Sequence, residues 1–174
     1  MFCLSMIFPA KTGSHPRIKS EGKLFGIMLA QRRQGSNTMR IDGACHCGFI
    51  TIEGEADPDK TTICHCTDCQ TSTGSAFRVS IPVPGNTFKM TGQPTTYLKT
   101  TAESGKPRLQ AFCPRCGSPI YSTTPGDGMQ PSYTVRVGML RQRDRLLPKR
   151  QIWFRSARPW VTELGTLPRS EKQT

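Results

Sequence analysis

Short segments in which apolar and polar side chains alternate follow one another through most of the chain after residue 48. The clearest is 77–81, where every second residue is apolar until Pro82 interrupts the pattern. Further segments of this kind are 49–53, 87–90, 95–100, 108–112, 119–123 and 133–139. No long stretch repeats apolar residues with a 3.6-residue period, and one short helix is expected after Cys69. The pattern predicts a mainly β fold of short antiparallel strands rather than a βαβ fold.

Residues 1–38 differ from the rest of the chain, since they carry six Lys or Arg against a single acid, Glu21. They match neither a signal peptide nor a strand pattern. We expect 1–38 to be a basic, poorly ordered arm, with Met39 as an alternative start. Residues 39–165 are then expected to form one zinc-binding domain, and 166–174 a polar tail.

Composition sets limits on the class of protein. No apolar run approaches the roughly 18 residues of a membrane span, so a soluble protein is expected. The net charge is +12, and a second group of basic residues lies between Arg136 and Arg158 with only Asp144 opposing it. Such a run attracts anions, including carboxylates, phosphates and nucleic acid. Apolar residues make up 35% of the chain, a low share that suits a small domain in which metals replace part of the core.

Seven of the eight cysteines fall in three tight clusters, and only Cys3 is isolated. The clusters are Cys45-His46-Cys47, Cys64-His65-Cys66-Thr67-Asp68-Cys69 and Cys113-Pro114-Arg115-Cys116. In an extended C-x-C segment both cysteines point to one side and the residue between them points away, so His46 and His65 are not expected to be ligands. Spacings of this kind indicate metal binding and a reducing compartment, the cytosol.

Two pairs and one triplet divide most simply into a closed site of four and an open site of three. A structural zinc takes four ligands, whereas a catalytic zinc keeps one exchangeable position. We therefore predict two Zn²⁺ per chain, a structural one on Cys45, Cys47, Cys113 and Cys116 and a catalytic one on Cys64, Cys66 and Cys69. Two other arrangements remain open: the triplet could share a metal with one cysteine of a pair, or a histidine could close it. A redox dithiol of Cys66 and Cys69 is a third reading.

The order C-x-C, C-x-C-x-x-C, C-x-x-C resembles the glutathione-dependent formaldehyde-activating enzyme family, which includes proteins similar to centromere protein V. The resemblance covers about 39–161. It rests on segments 43–48, 64–69, 74–77 and 112–120, and on Ile152-Trp153 followed by Pro159-Trp160. The chain departs from the family at Gln151, where relatives often carry His, and at 70–73, where a basic or bulky residue is common. The metal-ligand positions are kept.

The resemblance implies an Mss4-like β-tent fold and the same division of the cysteines. It also implies a zinc-dependent carbon–sulfur lyase that acts on adducts of glutathione, or a similar thiol, with a small aldehyde such as formaldehyde. Arg78 or Arg115 is a candidate to hold the carboxylates of the thiol, and Trp153 and Trp160 are expected to be core anchors. The alternative hypothesis is a non-catalytic zinc module whose basic surface binds nucleic acid or an acidic partner.

Overall fold

The structure, a computed structural model, describes residues 37–126, 128 and 131–173. The arm expected at the N-terminus therefore lies outside the described residues, apart from its last two positions. The described strands are β1 (Met39–Ala44), β2 (Thr51–Ala56), β3 (Thr62–Cys64), β4 (Arg78–Pro84), β5 (Lys89–Thr91), β6 (Thr95–Lys99), β7 (Arg108–Phe112), β8 (Pro119–Thr123), β9 (Ser132–Arg136) and β10 (Arg150–Ile152). One α-helix, α1 (Thr67–Thr73), follows β3, and short 3-10 turns occupy Pro58–Lys60, Val137–Met139, Arg143–Arg145, Phe154–Ser156 and Pro159–Thr166.

The strands form two sheets. The smaller has the order β1-β2-β5, and the larger has the order β10-β3-β4-β9-β8-β7-β6. All neighbouring pairs are antiparallel except β10 and β3, which run parallel. The predicted mainly β fold is confirmed, and no helix in the described residues is long and apolar enough to cross a bilayer.

Alternation along β4 separates the two faces of the larger sheet. Ile81 and Val83 are fully buried and pack with Ile41 and Ile52 of the smaller sheet and Val135 of β9. Arg78 and Ser80, at the alternate positions, lie on the opposite face of the sheet. The apolar face therefore builds the core, and the other face is left for polar chemistry.

Several details differ from the sequence prediction, among them the strand expected over 133–139, which ends at Arg136 before the 3-10 turn at Val137–Met139. β4 continues through Pro82 and Pro84, where the prolines had suggested an end. β3 pairs with β4 only as far as Ser80, so the prolines lie where one side of β4 has no partner strand and needs no donor. The short helix begins at Thr67, not after Cys69, because the Cys66 sulfur caps it by accepting from the amide of Cys69. β1, β3 and β10 were not predicted.

Gly43 of β1 packs closely against the backbone of Met139 and Leu140. A Cβ at this position would lie 2.2 Å from the Met139 carbonyl oxygen and 2.9 Å from the Leu140 Cα. These are backbone atoms, so the contact cannot be relieved by a side-chain rotation.

We expect Gly43→Ala to lower the free energy of unfolding by about 1–3 kcal/mol, the cost of overpacking a closed contact. Urea titration of the purified protein measures it. Gly138→Ala is the matched control, since a Cβ there meets nothing within 4 Å. Equal stability of the two variants would contradict the close approach of β1 to 139–140.

Candidate metal centre

The first sulfur cluster consists of Cys45, Cys47, Cys113 and Cys116, whose sulfurs all lie within 4.8 Å of one another. Cys45 Sγ lies 3.6 Å from Cys47 Sγ, and Cys47 Sγ lies 3.7 Å from Cys113 Sγ. Four thiolates held 2.3 Å from one zinc in a tetrahedron would be about 3.8 Å apart. The donor set therefore fits a closed tetrahedral site.

Two turns shape this cluster. Gly48 and Gly117, each directly after the second cysteine of its pair, have φ of +76° and +72°, which glycine adopts without strain. The Ile50 amide donates to Cys45 Sγ at 3.2 Å. The Ser118 hydroxyl lies 3.2 Å from Cys116 Sγ and lowers the pKa of that thiol to about 5. Both turns thus stabilise negative charge on sulfur.

The second cluster consists of Cys64, Cys66 and Cys69, also with sulfurs within 4.8 Å of one another. Cys64 ends β3, Cys66 caps α1 and Cys69 lies in its first turn. Cys66 Sγ is 3.6 Å from Cys64 Sγ and 3.0 Å from Cys69 Sγ. Among the described residues, no fourth Cys, His, Asp or Glu atom joins this group. Three donors fit a metal site with one position left for another ligand.

The three thiols of the triplet differ in acidity. A hydrogen bond from Cys69 lowers the pKa of Cys64 to about 5. The same contact, together with burial, raises the pKa of Cys69, and the charge of Arg78 acts to lower the pKa of both. The triplet is therefore disposed to carry negative charge beside a cation.

His65 points away from the sulfurs. Its ring is completely buried between Phe77 and Phe154, and its Nε2 donates to Gln151 Oε1 at 2.7 Å. Gln70 Nε2 donates to the carbonyl oxygens of His65 and Ser156 at 2.7 and 2.9 Å. Gln70 and Gln151 therefore tie the triplet loop to 151–156 from behind.

A cleft of about 370 Å³ opens beside Cys64, Cys66 and Cys69. Its floor is the polar face of the larger sheet. Six cationic residues line it: Lys60, Arg78, Lys99, Lys106, Arg108 and Arg150. Two acids, Asp68 and Glu103, also line it, and each is engaged in an ion pair. The Asp68 carboxylate lies 2.5 Å from Lys99 Nζ, and Glu103 pairs with Arg155.

Serine and threonine hydroxyls hold the cleft residues Arg108 and Arg150. Arg150 Nε donates to Thr62 Oγ1 at 3.1 Å, and Arg108 Nη1 donates to Thr124 Oγ1 at 2.7 Å. The Thr62 hydroxyl is neutral, so it fixes the Arg150 guanidinium without cancelling its charge. The cleft can therefore attract and orient an anionic ligand.

Two sequence expectations about this region need correction. Trp153 is half-buried and lines the cleft, and Trp160 is 50% exposed, so neither is a core anchor. Of the two candidate arginines, Arg78 lines the cleft, whereas the Arg115 guanidinium stacks 3.7 Å above the Phe49 ring beside the four-cysteine cluster. Lys99, Arg108 and Arg150 were not predicted as site residues. Arg150 belongs to the basic run at 136–158, whereas placing Lys99 and Arg108 in the cleft needed the strand register.

A family model for the glutathione-dependent formaldehyde-activating enzyme matches residues 40–156, more than half of the chain and all seven clustered cysteines. The chain belongs to this family. No curated protein is significantly similar to it. A crystal structure of a Rhodobacter sphaeroides protein resembles it with a TM-score of 0.46 and 19% identity, over 63% of this chain and 98% of that chain. At that TM-score the likeness adds nothing to the assignment.

We expect the protein purified under reducing conditions to contain two zinc ions per chain. Cys66→Ser should retain one ion and the wild-type circular dichroism spectrum, because only the open site loses a ligand. Cys113→Ser should lose the ordered fold, because a closed structural site contributes folding energy directly. Metal analysis with thermal melts measures both effects. Two ions in Cys66→Ser, or a wild-type melting temperature for Cys113→Ser, would contradict this division.

Proposed function

We propose that the protein is a zinc-dependent enzyme that catalyses the reversible addition of glutathione, or a similar thiol, to a small aldehyde such as formaldehyde. In the addition a carbon–sulfur bond forms, the carbonyl π bond breaks and the thiol proton ends on the aldehyde oxygen. The reverse direction is a carbon–sulfur lyase reaction. The observation that carries the proposal is a three-sulfur cluster at the edge of a cationic cleft.

The triplet supplies the centre of the reaction. When bound by three thiolates, zinc with one exchangeable position lowers the pKa of an incoming thiol and holds it as the thiolate. Thiols and aldehydes already react unaided, so bringing the two together in the correct orientation supplies most of the advantage. The role of the cleft is therefore to bind and position.

The cleft cations suit a thiol that carries carboxylates. Arg108 and Arg150 are fixed by hydroxyl groups, so they lose little freedom when they bind an anion. A volume of about 370 Å³ falls within the range of small-molecule sites. Family membership supports glutathione and formaldehyde as the first substrates to test.

The alternative, a nucleic-acid-binding module, gains no support from the basic run at 136–158. Arg136 is buried and Arg150 lines the cleft. Arg141, Lys149 and Arg155 pair with Asp42, Asp59 and Glu103. A continuous cationic surface would need these charges free to meet phosphates.

We expect the wild type to accelerate S-hydroxymethylglutathione formation over the uncatalysed rate, and Cys66→Ser to lower kcat/KM by about 100-fold or more, since it removes a ligand of the open site. Exchange between ¹³C-formaldehyde and its glutathione adduct, followed by NMR, measures the rate. Cys3→Ser is the matched control for loss of a thiol outside the clusters. Equal rates for wild type and Cys66→Ser would refute the enzyme proposal.

A second prediction concerns the substrate carboxylates. Arg150→Gln should raise KM for glutathione by about tenfold with kcat within about twofold, because it removes a contact made equally before and during reaction. With glutathione diethyl ester the two proteins should have the same KM. Arg145→Gln, which removes an exposed arginine outside the cleft, is the control. An equal rise in KM for the diester would show that Arg150 acts on something other than carboxylate charge.

A further inference from the structure

Two arginines lie side by side on the polar face of the larger sheet, next to the sulfur triplet. Arg78 of β4 is the cross-strand partner of Cys64, and Arg136 of β9 is the partner of Ser80, two residues further along β4. Side chains two residues apart on a strand share a face, and direct partners have Cβ atoms about 5 Å apart. Arg78, Arg136 and Cys64 therefore form one neighbouring group.

Neither arginine has a carboxylate partner among the residues that the structure describes. Arg136 is 6% exposed, and among the described residues its guanidinium donates to Gln110 Oε1 at 2.6 Å and the Thr134 carbonyl oxygen at 3.3 Å. The Arg78 guanidinium makes no hydrogen bond within the described ranges, and the Nε atoms of both arginines are buried without an acceptor. Burying a cation such as Arg136 without counter-charge is costly, so negative charge is expected nearby.

The cysteine sulfurs are the available source of that charge. Asp68, the acid nearest to these cysteines in the sequence, already pairs with Lys99. Cys64 and Cys69 stabilise the charged form of Arg136, whereas burial and the positive charge of Arg78 oppose it. Even with burial lowering its pKa to about 9, Arg136 remains a cation at neutral pH. Two positive charges thus face three thiols.

We propose that Arg78, supported by Arg136, supplies the positive charge that balances the site formed by Cys64, Cys66 and Cys69. This charge favours an anionic thiolate as the fourth ligand of a metal held there. Three thiolates around a divalent cation leave one net negative charge, and a thiolate as fourth ligand leaves two. The two guanidinium groups balance that total, whereas a neutral fourth ligand would leave one of them unbalanced. The inference deepens the proposed function and rests on it for the identity of the incoming thiol. Arg78 is a positioning residue that acts through the sulfurs.

Metal retention tests whether Arg78 supplies the counter-charge of the three-cysteine site, and this test requires no turnover. We expect Arg78→Gln to release its second zinc to a chelator at least about tenfold faster than the wild type, the usual scale for groups that support metal ligands. Arg78→Lys should stay below that tenfold limit because it keeps the charge. Cys66→Ser identifies the release phase that belongs to the four-cysteine cluster, and Arg143→Gln controls for loss of an exposed arginine. Release from Arg78→Gln that is less than about tenfold faster would overturn the proposal.

Ligand binding tests whether the site favours an anionic thiolate. In calorimetry with zinc-saturated protein, Arg78→Gln should bind glutathione at least about tenfold more weakly than the wild type, yet bind S-methylglutathione, which has no thiol to ionise, with unchanged affinity. Equal weakening for both ligands would show that Arg78 serves the carboxylates and would overturn the proposal. If Arg78→Gln fails to fold, Arg78→Lys decides: retained zinc and retained glutathione binding support the proposal, and loss of either overturns it.

The experiments can refute this inference and the proposed function independently of each other. A wild type that turns over substrate together with an Arg78→Gln variant that retains zinc would remove only this inference. A wild type that holds the second zinc through Arg78 but does not accelerate the reaction would remove only the proposed catalysis.

Discussion

The pairing of Cys64 with Ile152 on one side and Arg78 on the other is the constraint on which the site depends. Residues that are direct partners share a face, so this register puts a sulfur, a wall residue and a cation on the polar side of the larger sheet. A slip of one residue would turn Ile63 and Val79 toward the cleft and drive Cys64 and Arg78 into the core. The buried isoleucine and valine side chains of β4 and β9 oppose that slip, because they would have to leave the apolar interface. Core packing thereby fixes the chemistry on the opposite face.

The four-cysteine cluster explains how a chain with few apolar residues holds two sheets together. Cys45 and Cys47 follow β1 of the smaller sheet, while Cys113 and Cys116 follow β7 of the larger one. Their sulfurs meet at one end of the interface, and isoleucine and valine side chains fill the rest. A metal held there would cross-link segments about seventy residues apart, where loop closure costs the unfolded chain most.

Local signals in the sequence predicted most of the strands and the grouping of all seven clustered cysteines. The mainly β class followed from period-two alternation, and the sulfur sets followed from spacing and ligand number. Elements defined by long-range pairing escaped prediction: β3 and β10 have three residues each, and they are strands only because β10 pairs with β3 and β3 pairs with β4. For the same reason Lys99, Arg108 and Arg150 could not be predicted as cleft residues. A cation at an alternate strand position is expected to be solvent-exposed unless the opposite wall of the cleft is known.

The segment that follows β10 is held in place by Gln70 and Gln151, neither of which lines the cleft. Both glutamines lie behind the triplet loop, where they bond His65 and the Ser156 carbonyl and hold 151–156 against the loop. Within this segment Trp153 has φ of +56°, a left-handed conformation that costs a non-glycine residue about 1–2 kcal/mol. That conformation places Trp153 in the cleft wall beside the triplet. The hydrogen bonds made by the two glutamines support a strained backbone that positions an aromatic wall, so Gln70 and Gln151 act on the support of the site and not on its cationic floor.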